Sequence, residues 1–147
     1  DPGERCEVMR QASHEFTVST HGQGAHEFTR EVASWVAGSG ITEGVLTLHV
    51  RHTSASLVVM ENADPVVMDD LQRFLERLAP HGDPLYRHTA EGPDDMPAHV
   101  RSAITMSSLS IPVNSGRAAL GTWQGIWLLE HRANPNRRRI AAHLIGE

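Results

Sequence analysis

Polar and apolar residues alternate along residues 13–20, and this period of two indicates a half-buried β-strand with Phe16 and Val18 on the same face. Runs of apolar and β-branched residues predict six further strands, at 45–50, 57–60, 109–113, 118–120, 124–130 and 139–145. The Asn-Ser-Gly sequence at 114–116 is typical of a hairpin turn, so the C-terminal strands are expected to pair antiparallel.

Helical spacing of apolar residues predicts an amphipathic helix over 26–37, ended by glycines at 38 and 40. A second helix is predicted to begin after Asp64, a favourable N-cap residue, with Pro65 at its first position. Its predicted buried stripe consists of Val67, Leu71, Phe74, Leu75 and Leu78. Residues 82–97 are rich in proline and glycine and predict a long loop, followed by a short helix at 98–106.

Helices inserted as blocks between strands that are joined by hairpins indicate an α+β fold rather than a doubly wound sheet. A length of 147 residues suits one domain. We expect residues 1–8 to form a polar N-terminal extension and residues 9–147 to form the single domain.

Charge and composition argue against two classes of binding partner, nucleic acids and membranes. The chain has 13 basic and 18 acidic residues, a formal net charge of -5, which argues against general nucleic-acid binding. Its apolar runs are too short to span a membrane, so no membrane partner is expected. Cys6 is the single cysteine and has no intramolecular partner, which fits a reducing compartment. We therefore expect a cytoplasmic location.

Three of the ten histidines, His52, His88 and His99, lie in polar, turn-forming contexts where functional side chains tend to occur. Three imidazoles would suit a catalytic, zinc-like site with an open position for water or substrate. Their spacing along the chain matches no metal-binding signature, and three solvated histidines are the alternative interpretation.

Three acidic residues are expected to be exposed to solvent. Glu130 ends an apolar strand and is expected at the surface, and Asp94 and Asp95 are expected to be solvated loop acids. The alternative for the two aspartates is a cation site. The chain contains no P-loop, dinucleotide fingerprint, H-E-x-x-H or G-x-S-x-G motif.

Two glycines, Gly121 and Gly125, bracket Trp123 and Gln124. Glycine weakens a strand, so this pattern indicates either a bulge or a close approach to the main chain. The indole then either packs in the core or stacks on a flat heterocycle, and the amide is placed to donate to a polar substrate edge. The arginines at 137–139 are typical of a solvated strand edge, with phosphate binding as the alternative.

The run at 108–126, which includes Gly-Thr-Trp-Gln-Gly at 121–125, resembles the signature of the YjbQ-like family, also called the secondary thiamine-phosphate synthase family. The run His-Thr-Ser-Ala-Ser at 52–56 is similar to the family's His-Thr-Thr-Ala segment, with Ser54 in place of the second threonine. Residues 61–65, 86–88, 96–99 and 137–139 match as well. The resemblance covers almost the whole chain, from about Met9 to Glu147.

This resemblance implies an α+β fold with an antiparallel, twisted, β-sandwich-like sheet, two main helices and one short helix. It implies a homotrimer with a polar site between subunits, built around three histidines and holding a divalent metal, Zn or Mg. It also implies a small phosphorylated metabolite as ligand. The implied reaction joins a pyrimidine diphosphate to a thiazole phosphate and releases diphosphate. A metal-dependent hydrolase and a non-catalytic anion-binding trimer are the alternatives.

The site prediction assigns catalytic roles to His52, His88, His99, Asn62 and Asp95, metal binding to His52, His88 and His99, and substrate binding to Thr53, Ser54, Trp123, Gln124 and Arg137. In this prediction the metal or phosphate is held by the imidazoles. The amides and Asp95 orient the ligand, and the indole stacks on its ring.

Overall fold

The structure is a computed structural model, and it describes residues 8–147. The predicted polar extension lies outside the described residues except for Val8. The described elements in chain order are β1 (Arg10–Thr20), β2 (Gly24–Glu27), α1 (Thr29–Ser39), β3 (Gly44–Val50), β4 (Ala55–Glu61), α2 (Pro65–Leu78), α3 (Asp95–Ile104), β5 (Ser108–Asn114), β6 (Arg117–Ala118), β7 (Gln124–Glu130) and β8 (Asn136–Gly146).

The strands form two antiparallel sheets. One has five strands in the order β1-β8-β3-β5-β6, and the other has three in the order β2-β7-β4. A single hydrophobic cluster contains residues of both sheets, such as Leu48 and Ile140 from the first and Leu57 and Ile126 from the second. The predicted α+β class is therefore confirmed, and the two sheets share one core.

In the inner strands of the larger sheet, every second residue is buried. In β3, Leu46, Leu48 and Val50 are buried while the residues between them are exposed. The same period recurs along β8, where Ile140 and Leu144 are fully buried. Successive side chains of a strand point to opposite faces, so these residues line one side of the sheet.

The first helix begins at Thr29 rather than at residue 26. Residues 24–27 instead form β2, in which His26 pairs with Leu128 of β7. Sheet pairing therefore overrides the helical spacing at this end. The glycine cap was predicted correctly, since Gly40 follows the helix with a φ of 74°.

The second helix confirms the predicted cap but not the predicted buried face. The Asp64 carboxylate accepts a hydrogen bond from Val66 N–H at 3.0 Å. Met68 and Leu75 are buried against the smaller sheet, whereas Phe74 and Leu78 are 51% and 54% exposed. The helix packs through a narrower arc than its apolar residues cover, so the predicted stripe was wrong at these two positions.

The third helix begins inside the segment that was predicted to be a loop. It spans Asp95–Ile104, with Pro97 in its first turn, where a missing N–H costs no intrahelical hydrogen bond. It ends before Met106 because that residue bridges to Leu57, whose N–H donates to the Met106 carbonyl at 2.6 Å. Among the described residues, no helix is both long and apolar enough to cross a membrane.

The arginine run lies on β8, an inner strand of the larger sheet. Arg138 is buried, so the expectation of a solvated strand edge was wrong for this residue. Its guanidinium forms an ion pair with Glu130, which has no exposed surface. Glu130 was expected at the surface. It is instead buried because the two opposite charges, brought together from β7 and β8, neutralise each other.

Candidate functional site

Three predicted site residues, His88, Asp95 and His99, come together at the start of α3. One ligand atom from each lies within 4.8 Å of the other two. His88 Nε2 is 2.7 Å from Asp95 Oδ2, and His99 Nε2 is 3.0 Å from the same oxygen. We call these three residues the His-Asp-His cluster.

Local structure explains why two members of the cluster meet. Asp95 and His99 are four residues apart on α3, so their side chains lie on the same face of the helix. His88 reaches the same carboxylate from the segment before the helix. Asp95 is only 1% exposed and belongs to a helix, so the expectation of a solvated loop acid was wrong.

Both aspartates are held by Arg132, which follows β7. Its Nη1 donates to Asp95 Oδ1 at 2.7 Å, and its Nε donates to Asp94 Oδ2 at 2.9 Å. Ala133 N–H also donates to Asp94 Oδ2 at 2.9 Å. Asp94 is 8% exposed and thus also differs from a solvated loop acid. These contacts fix the cluster carboxylate against the β7–β8 connection.

The same contacts determine the charge of the aspartates. Burial alone would raise the pKa of Asp95, but the hydrogen bond from His88 and the charges of His99 and Arg132 outweigh burial and leave the pKa below its ordinary value. The pKa of Asp94 is also lowered, because hydrogen bonds from Ala133 and Arg132 outweigh its burial. Both groups are therefore carboxylates at neutral pH.

The tautomer of His99 is fixed by the backbone. Its Nδ1 lies 2.8 Å from the carbonyl oxygen of Thr53. A carbonyl only accepts hydrogen bonds, so Nδ1 carries a proton. In the neutral ring, Nε2 is then an unprotonated acceptor, and it faces the Asp95 carboxylate at 3.0 Å. Two acceptors at this distance require a proton or a cation between them.

His52 lies beside the cluster rather than within it. Together with His99 it lines an open cavity of about 340 Å³. The other lining residues are Thr53, Ala55, Ser102, Ala103 and Ser107. The His52 Nε2 accepts a hydrogen bond from Arg139 N–H at 2.8 Å. The predicted metal role of His52 stays a prediction.

The predicted substrate-binding residues near His52 differ in accessibility. Thr53 lines the cavity. Ser54 is only 9% exposed, and its Oγ accepts a hydrogen bond from Arg138 Nη2 at 2.9 Å. Arg137 is exposed and faces Ser19 in the β1–β8 register.

Asn62, Trp123 and Gln124 lie at the opposite end of the β4–β7 pair. In this register Glu61 pairs with Gln124, whereas Ala55, near the cluster, pairs with Glu130. Six residues of extended strand separate the two ends by about 20 Å. Within one protomer, these three residues are therefore not brought to the imidazoles.

The glycine-rich segment forms a turn at the start of β7. Gln124 N–H donates to the Gly121 carbonyl at 3.1 Å, and Gly121 N–H donates back to Gln124 Oε1 at 2.7 Å. Trp123 is 62% exposed. A Cβ at Gly125 would meet the Glu27 carboxylate and would lie 3.1 Å from Asn62 Cβ, so a larger residue here would require the exposed Glu27 side chain to move.

Sequence reasoning missed Arg132 and the buried Glu130–Arg138 pair. Arg132 follows a strand and precedes a polar turn, and nothing in that pattern distinguishes it from a solvated arginine. Its importance follows only from the partners that the fold supplies. The pair likewise joins residues of two strands, and the sequence carries no signal of that contact.

Comparisons with known proteins agree with this architecture. The family model described as "UPF0047 protein YjbQ-like" matches residues 14–147. The UPF0047 protein sll1880 of Synechocystis is 47% identical over 140 residues, covering 95% of each chain. The UPF0047 protein YjbQ of Escherichia coli O157:H7 is 46% identical over 133 residues, covering 90% of this chain and 96% of the relative.

Solved structures show the same fold. A YbjQ-like protein of unknown function from Sulfolobus solfataricus superposes with a TM-score of 0.87 at 26% identity, covering 95% of this chain and 100% of that one. A conserved hypothetical protein from Thermus thermophilus gives a TM-score of 0.78 at 35% identity, covering 88% and 97%. From the family match and the identities over nearly the full length, the chain belongs to the UPF0047 YjbQ-like family.

Proposed function

We propose that the protein is a metal-dependent enzyme that acts on a small phosphorylated molecule. The observation that carries this proposal is the approach of His99 Nε2 to Asp95 Oδ2 at 3.0 Å while His99 Nδ1 is bound to a carbonyl. A divalent cation shared with His88 would resolve the contact between two acceptors and would use all three ligand atoms of the cluster.

The donor chemistry fits zinc better than magnesium. Two imidazole nitrogens and one carboxylate oxygen are a ligand set typical of catalytic zinc, whereas magnesium prefers oxygen ligands. Hydrogen bonds to the proposed ligands also suit a zinc site, because the Thr53 carbonyl orients His99 and Arg132 orients Asp95. When bound, such a metal supplies Lewis-acid polarisation of a substrate oxygen.

The surroundings of the cavity favour an anionic substrate. Arg51 and Arg139 both flank His52, and among residues 8–147 each forms an ion pair only with Glu15, at 3.3 and 3.8 Å. Two guanidiniums that share one carboxylate leave a net positive charge beside the cavity. Phosphate esters and diphosphates match this charge.

Two reactions use such a site, and they differ in the nucleophile. In hydrolysis, water attacks the phosphorus atom, the P–O bond to the alcohol breaks, and the alcohol leaves with a proton from the water. In thiamine-phosphate synthesis, the thiazole nitrogen attacks the pyrimidine methylene and diphosphate leaves, so the protein aligns the two rings and stabilises the departing charge. Hydrolysis is the simpler of the two, because it needs one bound phosphorylated substrate and a water, whereas synthesis also needs a second substrate, the thiazole phosphate, aligned in the same site. We place either reaction in the cytoplasm.

We further propose that the site is completed between copies of a homotrimer. The indole of Trp123 is 62% exposed, and it lies about 20 Å along the β4–β7 pair from the cluster of its own chain. Phe74 and Leu78 add exposed apolar surface on α2. A neighbouring copy would bring Asn62, Trp123 and Gln124 to the cavity and cover this surface.

The test combines metal analysis with turnover. Untagged protein should contain about one zinc per chain, and the His99→Ala variant should lose it. The His143→Ala variant, in which the altered histidine contacts Gln11 instead of the cluster, should retain the metal. Parental metal content in the His99→Ala protein would refute the proposed metal centre.

Turnover is measured on phosphate esters, and on a pyrimidine diphosphate mixed with a thiazole phosphate, each with and without chelator. Release of phosphate that the chelator abolishes supports the hydrolase. Formation of thiamine phosphate supports the synthase. Ligand binding without turnover at any metal concentration would instead indicate an anion-binding protein.

A further inference from the structure

His52 is fixed by a backbone hydrogen bond in one tautomeric form. Its Nε2 lies 2.8 Å from Arg139 N–H, within β8. A backbone N–H only donates, so Nε2 must offer its lone pair. The proton of the neutral ring therefore lies on Nδ1, which has no hydrogen-bond partner among the described residues.

This hydrogen bond conflicts with a metal-ligand role for His52. Coordination through Nε2 would take the lone pair that accepts from Arg139 N–H. Coordination through Nδ1 would move the proton to Nε2 and place two donors against each other at 2.8 Å. The ring keeps its backbone contact only as an Nδ1–H donor.

The electrostatic environment keeps this ring neutral. Burial lowers the pKa of His52, and the charges of Arg138, Arg139 and Arg51 lower it further, while Glu130 opposes them. At neutral pH the residue is thus a neutral imidazole with a single donor. A neutral imidazole donor can stabilise negative charge on a substrate oxygen without giving up its proton.

We propose that His52 is a substrate-binding residue whose Nδ1–H donates to a phosphate oxygen of the molecule bound in the 340 Å³ cavity. This inference rests on the proposed function only in taking the cavity as the substrate site. Zinc is assigned to His88, Asp95 and His99 alone. His52 and His99 line the same cavity, so one ligand can contact both the metal centre and the imidazole donor.

The anionic nature of the ligand follows from the neighbouring cations. Arg51 and Arg139 are 59% and 63% exposed, so their guanidiniums are free to turn from Glu15 toward a ligand. Exposed ion pairs contribute little to stability, so exchanging a shared carboxylate for a phosphate costs little. The Nδ1–H group of His52 then orients the phosphate, and the two guanidiniums balance its negative charge.

The first experiment measures the tautomer in the parent protein, with no variant involved. Nitrogen-15 spectra of histidine-labelled, full-length, metal-free protein should show His52 protonated on Nδ1 and unprotonated on Nε2 at pH 7. Addition of inorganic phosphate should shift the Nδ1 proton. A ring protonated on Nε2, or no response to phosphate, would overturn the inference.

The second experiment uses matched variants that separate the two nitrogens. The side-chain amide of His52→Asn falls near Nδ1 and keeps a donor there, whereas the amide of His52→Gln falls near Nε2 and keeps only the contact with Arg139 N–H. Inorganic phosphate is titrated into each metal-free protein by calorimetry, with His52→Ala as the reference for complete loss.

We expect His52→Asn to bind phosphate within about threefold of the parent and the glutamine and alanine variants to bind at least about tenfold more weakly, as for loss of one hydrogen bond to a charged group. All three variants should take up zinc like the parent. Loss of zinc in the alanine variant, or an asparagine variant as weak as alanine, would overturn the inference. Failure of the parent to bind zinc would refute the metal centre but leave the phosphate comparison intact.

Discussion

Replacing Arg138 with methionine tests whether the buried ion pair supports both the fold and the site. The guanidinium Nε donates to Glu130 Oε1 at 2.8 Å, and Nη2 donates to Glu130 Oε2 and to Ser54. The side chains are 5% and 0% exposed. Methionine replaces the unbranched stem of arginine but not its guanidinium, so the substitution mainly removes the charge and the donors.

The magnitude follows from the carboxylate that is left behind. In the variant, the Glu130 carboxylate keeps two hydrogen bonds within the described part of the chain, from Thr20 Oγ1 at 2.6 Å and from Arg132 N–H at 3.1 Å. Breaking a buried pair by removing one partner costs about 3–5 kcal/mol. This is a large part of the roughly 5–15 kcal/mol that stabilises a typical domain. We therefore expect a decrease of about 3–5 kcal/mol in the free energy of unfolding at pH 7.

The pH dependence provides a second signature with a definite sign. Burial alone raises the pKa of Glu130, but hydrogen bonds from Arg138 and Thr20 outweigh it and hold the pKa below 4.5. In the parent, this carboxylate therefore contributes stability above pH 4.5 that is lost as the pH falls through the lower folded-state pKa. In Arg138→Met the largest lowering contribution is gone, so we expect burial to raise the pKa of Glu130 above its ordinary value. The difference in the free energy of unfolding between the parent and the variant should then become smaller as the pH falls from about 7 to about 5.

The assay is urea unfolding followed by tryptophan fluorescence at both pH values. Arg137→Met is the matched control, because this neighbour on β8 is exposed, and it should change stability by less than about 0.5 kcal/mol. Adding Glu130→Leu to Arg138→Met should restore much of the loss, since an apolar pair of similar volume is often tolerated. A deficit below about 1 kcal/mol, or one that grows in acid, would refute the reasoning.

Three further predictions follow from single residues. Asp95→Asn keeps the shape of the cluster but removes its charge, and should weaken zinc binding at least about 10-fold in chelator competition, whereas Asp69→Asn, at an exposed helix position, should not. Burial and the charge of Arg101 lower the pKa of His131 to about 4. The free energy of unfolding of the parent should therefore fall by up to about 3 kcal/mol from pH 6.5 to pH 4, because the unfolded chain takes up the proton first. The His131→Asn variant should show a weaker dependence on pH in urea unfolding. Trp123→Ala should leave the unfolding of the protomer nearly unchanged but reduce the sedimentation coefficient, and an unchanged coefficient would contradict the trimer proposal.

Local signals in the sequence were sufficient for most of the secondary structure. Alternation predicted β1, and runs of apolar and β-branched residues predicted β3 and β8. Asp64 and Gly40 marked helix ends correctly, because a cap depends on a residue's own neighbours. The face of α2 was predicted less well. Which of its apolar residues are buried depends on Leu129 of a strand far along the chain.

In the candidate site, too, local sequence predicted some features, whereas others depend on residues that are distant in sequence. His52, His88 and His99 were selected by residue type and family resemblance, but the role of Asp95 as the shared partner of His88 and His99 depends on a helix that begins before the predicted start at residue 98. Arg132 was missed because an arginine in a turn gains its meaning only from the carboxylates that the fold places around it.

The register of β4 against β7 explains why these separate segments meet. Ala55 pairs with Glu130, so the residues just before β4 and just after β7 necessarily lie side by side. Ser102 of α3 donates to the Ala55 carbonyl at 3.3 Å, which holds that helix at the same end of the sheet. A slip of β7 by one residue would turn Glu130 to the opposite face of its sheet and separate it from Arg138. The buried pair thus specifies the register, and the register places the Thr53 carbonyl that orients the cluster.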